Sequence, residues 1–255
     1  MYTEDELKQL GIEEDELTEE ELLLLLAALH TTLGEFEKEV RAFYQKYGKD
    51  GVVTYSEVKK WVSSTNHTKR LFFLNQVVSD LFETGFNAFE TTFKSHLQDI
   101  VLKEAQFFGV ELDVDEILDT VWGMDEGNWL QRLTAHRNKW TVQLNTDLKL
   151  SFLKRDSIID VLTNVAKRGE SMETILKRLF RTESNAVSSI ARKKIYEILG
   201  VEKFRFLHLD GCTCELCSDM DGQVFPVSEY VVGVTANPLH PNCRDITEPI
   251  INVKG

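Results

Sequence analysis

The first 225 residues of this 255-residue chain contain no proline, whereas all four prolines (Pro226, Pro238, Pro241, Pro249) and all four cysteines (Cys212, Cys214, Cys217, Cys243) lie beyond residue 211. Proline removes a helical hydrogen bond and clashes with the preceding turn, so a proline-free stretch of this length fits a body of long helices. The C-terminal region obeys other rules. With 42% hydrophobic and 28% charged residues, the composition is that of a globular chain of one or two domains with a real core.

Charge narrows the function classes. Lys and Arg total 29 against 42 Asp and Glu, a formal charge of -13 and a pI near 5.0, which argues against coating nucleic acid through bulk charge. Residues 1–22 hold ten acids and one Lys, leaving a net -4 for the remaining 233 positions. That segment reads as a solvated helical face or a terminal extension, with a docking surface for a basic partner as the alternative. The longest apolar run, Leu22 to Leu29, has eight residues, where a membrane span needs about 20. No membrane partner is expected. Glu4, Asp5 and Glu6 near the start do not form a secretory signal, so the chain is expected to begin in the cytoplasm.

Thr18 with Glu21 reads as a capping box opening a helix. Leu22, Leu26, Leu29, Leu33, Phe36, Val40, Phe43 and Tyr47 then follow steps of four and three, a heptad seam for packing within the chain or for self-association. Leu23, Leu24 and Leu25 widen the apolar face, which favours a bundle. Gly48 and Gly51 break this helix; a calcium loop starting at Lys46 is rejected because Lys46 and Gly48 stand where acidic oxygens are needed. Thr54 and Glu57 form another capping box for a short helix through Trp61.

Residues 68–106 read as one long helix, with Leu74, Val78, Leu81, Phe82, Phe86, Phe89, Phe93, Leu97 and Ile100 on its apolar face. A short element follows an Asp113 cap. Trp129, Leu133, His136, Trp140, Leu144 and Leu148 mark a fourth helix, on which His136 reads as a core or boundary residue. After Ser157 the pattern predicts two helices, to about Ala166 and from Ser171 to Leu199, separated by Gly169 and stopped by Gly200. No nucleotide-binding, nucleophile-elbow or metalloprotease motif occurs, so no enzymatic activity is expected.

Past Gly200 the near alternation of Lys203 to Leu209 reads as a strand. A C-x-x-C turn, Cys214 and Cys217, and an H-x-x-C turn, His240 and Cys243, follow. Zn(II) takes four tetrahedral ligands, and each turn supplies one edge of such a tetrahedron, so Cys214, Cys217, His240 and Cys243 fit a closed structural Cys3His site. Pro238 and Pro241 stiffen the second loop. Cys212 is a fifth candidate ligand, and disulfide pairing or free thiols are the competing readings. A segment of some 55 residues with few large apolar side chains buries little core, and structural zinc supplies roughly 10 to 16 kcal/mol in small modules. The expected architecture is mainly α: an acidic N-terminal helical segment (1–65), a long-helix bundle body (66–200) and a small α+β zinc-stabilised C-terminal module (201–255).

The succession Arg181-Thr182-Glu183, a helix to Tyr196, Lys203 to Leu207, Cys214-Glu215-Leu216-Cys217, Asp221-Gly222, and His240-Pro241-Asn242-Cys243-Arg244 resembles the C-terminal domain of tailed-phage minor head proteins, the Mu protein F-like or head morphogenesis family. The resemblance covers about residues 175–250. Many relatives close the motif with a further Cys after the Arg, where Asp245 stands here, and Cys212 is additional. It implies a virion component of low copy number inside the phage head, present in the host cytoplasm during assembly. Portal protein is the implied partner, with scaffold and major capsid protein as further ones, in procapsid assembly and DNA packaging or delivery. No toxin domain is expected after Gly255. Arg181 and Glu183, two apart on a helix, point to different faces and read as structural rather than as a catalytic pair. Asp210, Asp219 and Asp221 read as turn formers or ligand orienters. The alternative function is a zinc-containing nucleic-acid-binding protein, because Arg178, Arg181, Arg192, Lys193 and Lys194 form a basic stretch beside the module.

Overall fold

The computed structural model describes residues 3–53, 67–123, 127–209 and 214–251, with the backbone alone for 67–82 and 84. The described elements are α1 (Glu4–Tyr47), α2 (His67–Phe108), α3 (Val114–Leu118), α4 (Trp129–Lys154), α5 (Ile158–Ile198), β1 (Lys203–Leu207), α6 (Glu215–Met220), β2 (Val224–Pro226), a 3-10 turn (Val227–Glu229) and β3 (Ile246–Ile250). The protein is therefore mainly helical with one small antiparallel sheet near the C-terminus. The Thr54 and Glu57 cap, Trp61, Asp210 and Cys212 lie outside the described residues, as do the side chains of Leu74, Val78, Leu81 and Phe82.

Helix α1 starts well before the expected Thr18 cap. Thr3 and Glu6 make the capping box instead: Thr3 Oγ1 accepts from the Glu6 amide at 3.2 Å, and Glu6 Oε2 accepts from the Thr3 amide at 2.8 Å. Thr18 sits mid-helix, its hydroxyl donating to the Glu14 carbonyl at 2.7 Å. The seam residues Leu22, Leu26, Leu29, Phe36, Val40 and Phe43 are buried within the chain. Leu25 joins them, whereas Leu23 and Leu24 are 69% and 62% exposed and do not widen the core face.

The chain divides into two compact units, one built from Met1–Leu23, Thr92–Arg132 and Lys177–Gly255, the other from Leu24–Thr91 and Leu133–Leu176. Among its described residues the second unit is purely helical. Phe86 packs on Trp140 with centroids 5.7 Å apart, and Phe43 on Phe152 at 5.4 Å; each such ring contributes about 1.5 to 3 kcal/mol by leaving water. His136 stacks on Trp140 at 5.5 Å, in keeping with a boundary position. Ser157 and Asp160 cap α5, the Ser157 hydroxyl donating to Asp160 Oδ2 at 2.7 Å.

Gly169 does not divide the chain into separate helices here. α5 runs unbroken through it, because an interior glycine costs only about 1 kcal/mol against alanine. Its missing side chain has a use: a Cβ at Gly169 would lie 2.8 Å from Leu33 Cδ1, so the glycine lets α1 and α5 close up in this unit. The expected stop at Gly200 does occur, with φ +67° and the Val201 amide donating to the Tyr196 carbonyl at 2.9 Å.

The first unit packs the N-terminal end of α1, the C-terminal end of α2 and the second half of α5 with the sheet, whose order is β2-β1-β3. Phe204 pairs with Phe225 on one side and Pro249 on the other, and Leu207 pairs with Ile246. Phe204 and Phe206, two apart on β1, are fully buried. A Cβ at Gly11 would meet Ile246 Cγ2 at 2.9 Å, so α1 passes close over the start of β3.

The acidic N-terminal stretch is not simply a solvated face. Glu13 pairs with Lys103 at 3.0 Å, Asp15 with Arg244 at 3.2 Å and Glu19 with Arg181. Buried Glu14 lies 3.6 Å from buried Arg192, whose Nε donates to Glu104 at 2.5 Å. The basic partner of this helix is the rest of its own unit. Among the described residues no helix is long and apolar enough to cross a membrane.

Candidate metal centre

Two short turns bring the thiols together. α6 opens at Cys214, whose carbonyl accepts from the Ser218 amide at 3.0 Å, so the C-x-x-C spacing sets Cys214 and Cys217 one helical turn apart. In the second loop the Cys243 amide donates to the His240 carbonyl at 3.1 Å, with Asn242 in the left-handed region at φ 62°, closing the H-x-x-C turn. Phe206 of β1 packs against Cys217 and Cys243, with Cys214, Met220 and Leu239 around them.

Cys217 is the hub. Its Sγ lies 3.1 Å from His240 Nε2 and 3.8 Å from Cys243 Sγ. The four expected ligands gather here as two groups that share this thiol: Cys214, Cys217 and His240, then Cys217, Cys243 and Asp245, with the donor atoms of each group within 4.8 Å of one another. Cys214, Cys217 and Cys243 are free thiols. His240 Nδ1 is 2.8 Å from the Pro241 carbonyl, which only accepts, so Nδ1 carries the proton and Nε2 presents its lone pair to the cluster. A tetrahedral ion with bonds of about 2.3 Å to sulfur has an S···S edge of about 3.8 Å. The Cys217 and Cys243 separation of 3.8 Å meets it, so this pair of thiols fits zinc.

Electrostatics separates a ligand cluster from a nucleophilic one. Burial pushes the Cys243 thiol up to about 12, with the nearby Asp245 carboxylate adding to the rise. Burial raises Cys217 in the same direction, helped by Asp245 and Cys243. Reactive cysteines have depressed values in electropositive surroundings. These thiols, both under 3% exposed, are held in their neutral forms.

Three consecutive residues of α5 hold the neighbourhood in place. Arg181 pairs with Glu19 of α1 at 2.8 Å. The Thr182 hydroxyl accepts from the Asn242 amide at 3.2 Å, gripping the second ligand loop. Glu183, facing elsewhere, takes both Arg132 and the Trp122 indole N–H, the latter at 2.9 Å. Further along the helix, Asn185 Nδ2 donates to the Asp245 carbonyl at 3.1 Å and its Oδ1 accepts from Asn237 at 2.8 Å.

Residues 153–247 match the family described as Phage Mu protein F like protein. The phage Mu F-like region thus spans the end of α4, all of α5, the sheet through the start of β3 and every expected ligand, somewhat over a third of the chain. No curated protein and no solved structure matches the chain.

Within the phage Mu F-like region, sequence reasoning passed over Asp245 and His208 as partners of the thiols. Asp245 is fully buried; its Oδ1 lies 2.8 Å from His208 Nδ1 and accepts from the Leu209 amide at 3.1 Å, and its Oδ2 accepts from the Cys243 thiol at 3.3 Å. The available signal was its place two residues after Cys243. Asp221 Oδ1 accepts from the His208 amide at 2.9 Å, and the Asp219 carbonyl accepts from Gln223 in a turn. Arg192, counted in the basic stretch, is a buried ion-pair partner; Arg181 and Lys194 are paired with Glu19 and Glu116.

Proposed function

We propose that this protein is a phage head morphogenesis protein of structural rather than enzymatic kind, a minor capsid component that acts at the portal vertex during procapsid assembly and DNA packaging or delivery. The match of residues 153–247 to the phage Mu F-like family carries this reading. The burial of Cys217 and Cys243, which raises both thiols, supports a scaffold rather than a catalyst. Virion interior and host cytoplasm during assembly are the corresponding locations.

In this reading a structural zinc ion holds the C-terminal module, with Cys217, His240 and Cys243 as ligands and Cys214 as the expected fourth. When bound, it supplies the divalent charge that balances buried thiolates and cross-links the α6 turn to the 240–243 loop. The residues do the rest: Pro241 fixes the His240 tautomer, Thr182 anchors the loop to α5, and Phe206 excludes water. The partner is portal protein, with scaffold or major capsid protein as further contacts. Contact with packaged DNA has less support, because Arg181, Arg192 and Lys194 of the basic stretch already face acids. Coexpression with the portal protein of the same phage, followed by size exclusion, tests the assignment. Comigration is expected; separate elution with and without scaffold contradicts it.

A further inference from the structure

Three donors of the cluster are wholly inside the protein: Cys217, Cys243 and Asp245, whereas Cys214 and His240 are half-buried. The Asp245 carboxylate has its two oxygens in different employment. Oδ1 is held by His208 and the Leu209 amide, and Oδ2 faces the thiols, accepting from Cys243 at 3.3 Å. The donor atoms of Cys217, Cys243 and Asp245 all lie within 4.8 Å of one another, a buried group of two sulfurs and one carboxylate oxygen.

We infer that Asp245 Oδ2 is itself a ligand of the zinc ion, completing a set of Cys217, Cys243, His240 and Asp245 from which Cys214 is left as an outer thiol. This rests on the zinc reading above. One edge agrees: the 3.3 Å separation of Cys243 Sγ from Asp245 Oδ2 is near the roughly 3.5 Å expected across a tetrahedron between sulfur and a carboxylate oxygen, while His240, grouped with Cys217 and Cys214, must close toward Cys243 and Asp245 as the ion binds. Exchanging a thiolate for a carboxylate leaves the charge of the centre unchanged. His208 then does for Asp245 what Pro241 does for His240, fixing the ligand's orientation from behind. β-sheet register makes this possible, since the pairing of Leu207 with Ile246 sets the residues just beyond each strand end, His208 and Asp245, side by side.

Zinc K-edge X-ray absorption on the purified full-length chain counts the sulfurs. Two sulfurs and two nitrogen or oxygen neighbours are expected; three sulfurs and one nitrogen overturn the inference while leaving a zinc site standing. A chain that binds no zinc at micromolar metal overturns the zinc reading itself, a separate outcome. The variants give a second measure: Cys214→Ser should retain zinc with affinity changed by less than tenfold and an unaltered sulfur count, and Asp245→Asn should lose at least tenfold. The reverse ranking contradicts the assignment.

Discussion

The Arg132 guanidinium reaches both carboxylate oxygens of Glu183 through one nitrogen, at 2.8 and 3.0 Å, while lying over the Trp122 ring 4.4 Å from its centroid. Glu183 is almost wholly buried and Arg132 partly so, and the Trp122 indole adds a third hydrogen bond to the same carboxylate. The first residue of the R-T-E signature thus binds α1, and its last fastens the start of α4 to α5.

Breaking one side of this pair strands a buried charge. Glu183→Ala and Arg132→Ala are each expected to lower stability by about 3 kcal/mol, and the double variant by clearly less than the sum. Urea unfolding of the four proteins measures the coupling; additive losses would show that the two side chains do not depend on one another.

His96 gives the fold an acid-sensitive point. Buried between Thr18, Ser184 and Phe180, its pKa falls to about 4 because burial disfavours the charged ring. Above the unfolded value near 6.5 the ring is neutral in both states and its contribution is whole; as pH falls from there toward about 4 the unfolded chain takes up the proton first and stability is lost. Between pH 7 and pH 5 this amounts to about 2 kcal/mol. Urea midpoints at the two pH values should converge for His96→Gln relative to the parent; an equal acid loss in both proteins would remove His96 as the cause.

Metal binding should also weaken in acid, and more steeply, through the thiols. Cys243 is held as a neutral thiol, its pKa raised to about 12, and Cys217 is raised as well, so each must release a proton to become a ligand. Two such protons imply zinc affinity rising on the order of a hundredfold per pH unit. Competition with a chromophoric chelator between pH 6 and pH 8 reads the slope, and a flat response would mean that thiols do not bind the ion.

The sequence displayed what local periodicity controls. The 3.6-residue stripe from Leu22 to Tyr47 and the one-turn spacings of Cys214 with Cys217 and His240 with Cys243 announce a helix and two close pairs of donor residues, because local chain geometry alone decides these. Thr18 misled because a T-x-x-E string caps a helix only where the chain enters one, and the acids before it pair with cations supplied by Lys103, Arg192 and Arg244, far along the chain. Gly169 misled for a related reason: its neighbour Leu33 belongs to another helix. Asp245 and His208 were invisible as a pair until the register of β1 with β3 set them side by side.

Elemental analysis of the chain, purified without an affinity tag that binds metal, combined with limited proteolysis before and after chelation, bears on the organising role of the Cys217 cluster. One zinc per chain is expected, with chelation exposing the segment beyond Gly200 to protease while α1 to α5 remain resistant. A zinc-free protein whose C-terminal segment resists protease equally well would contradict it.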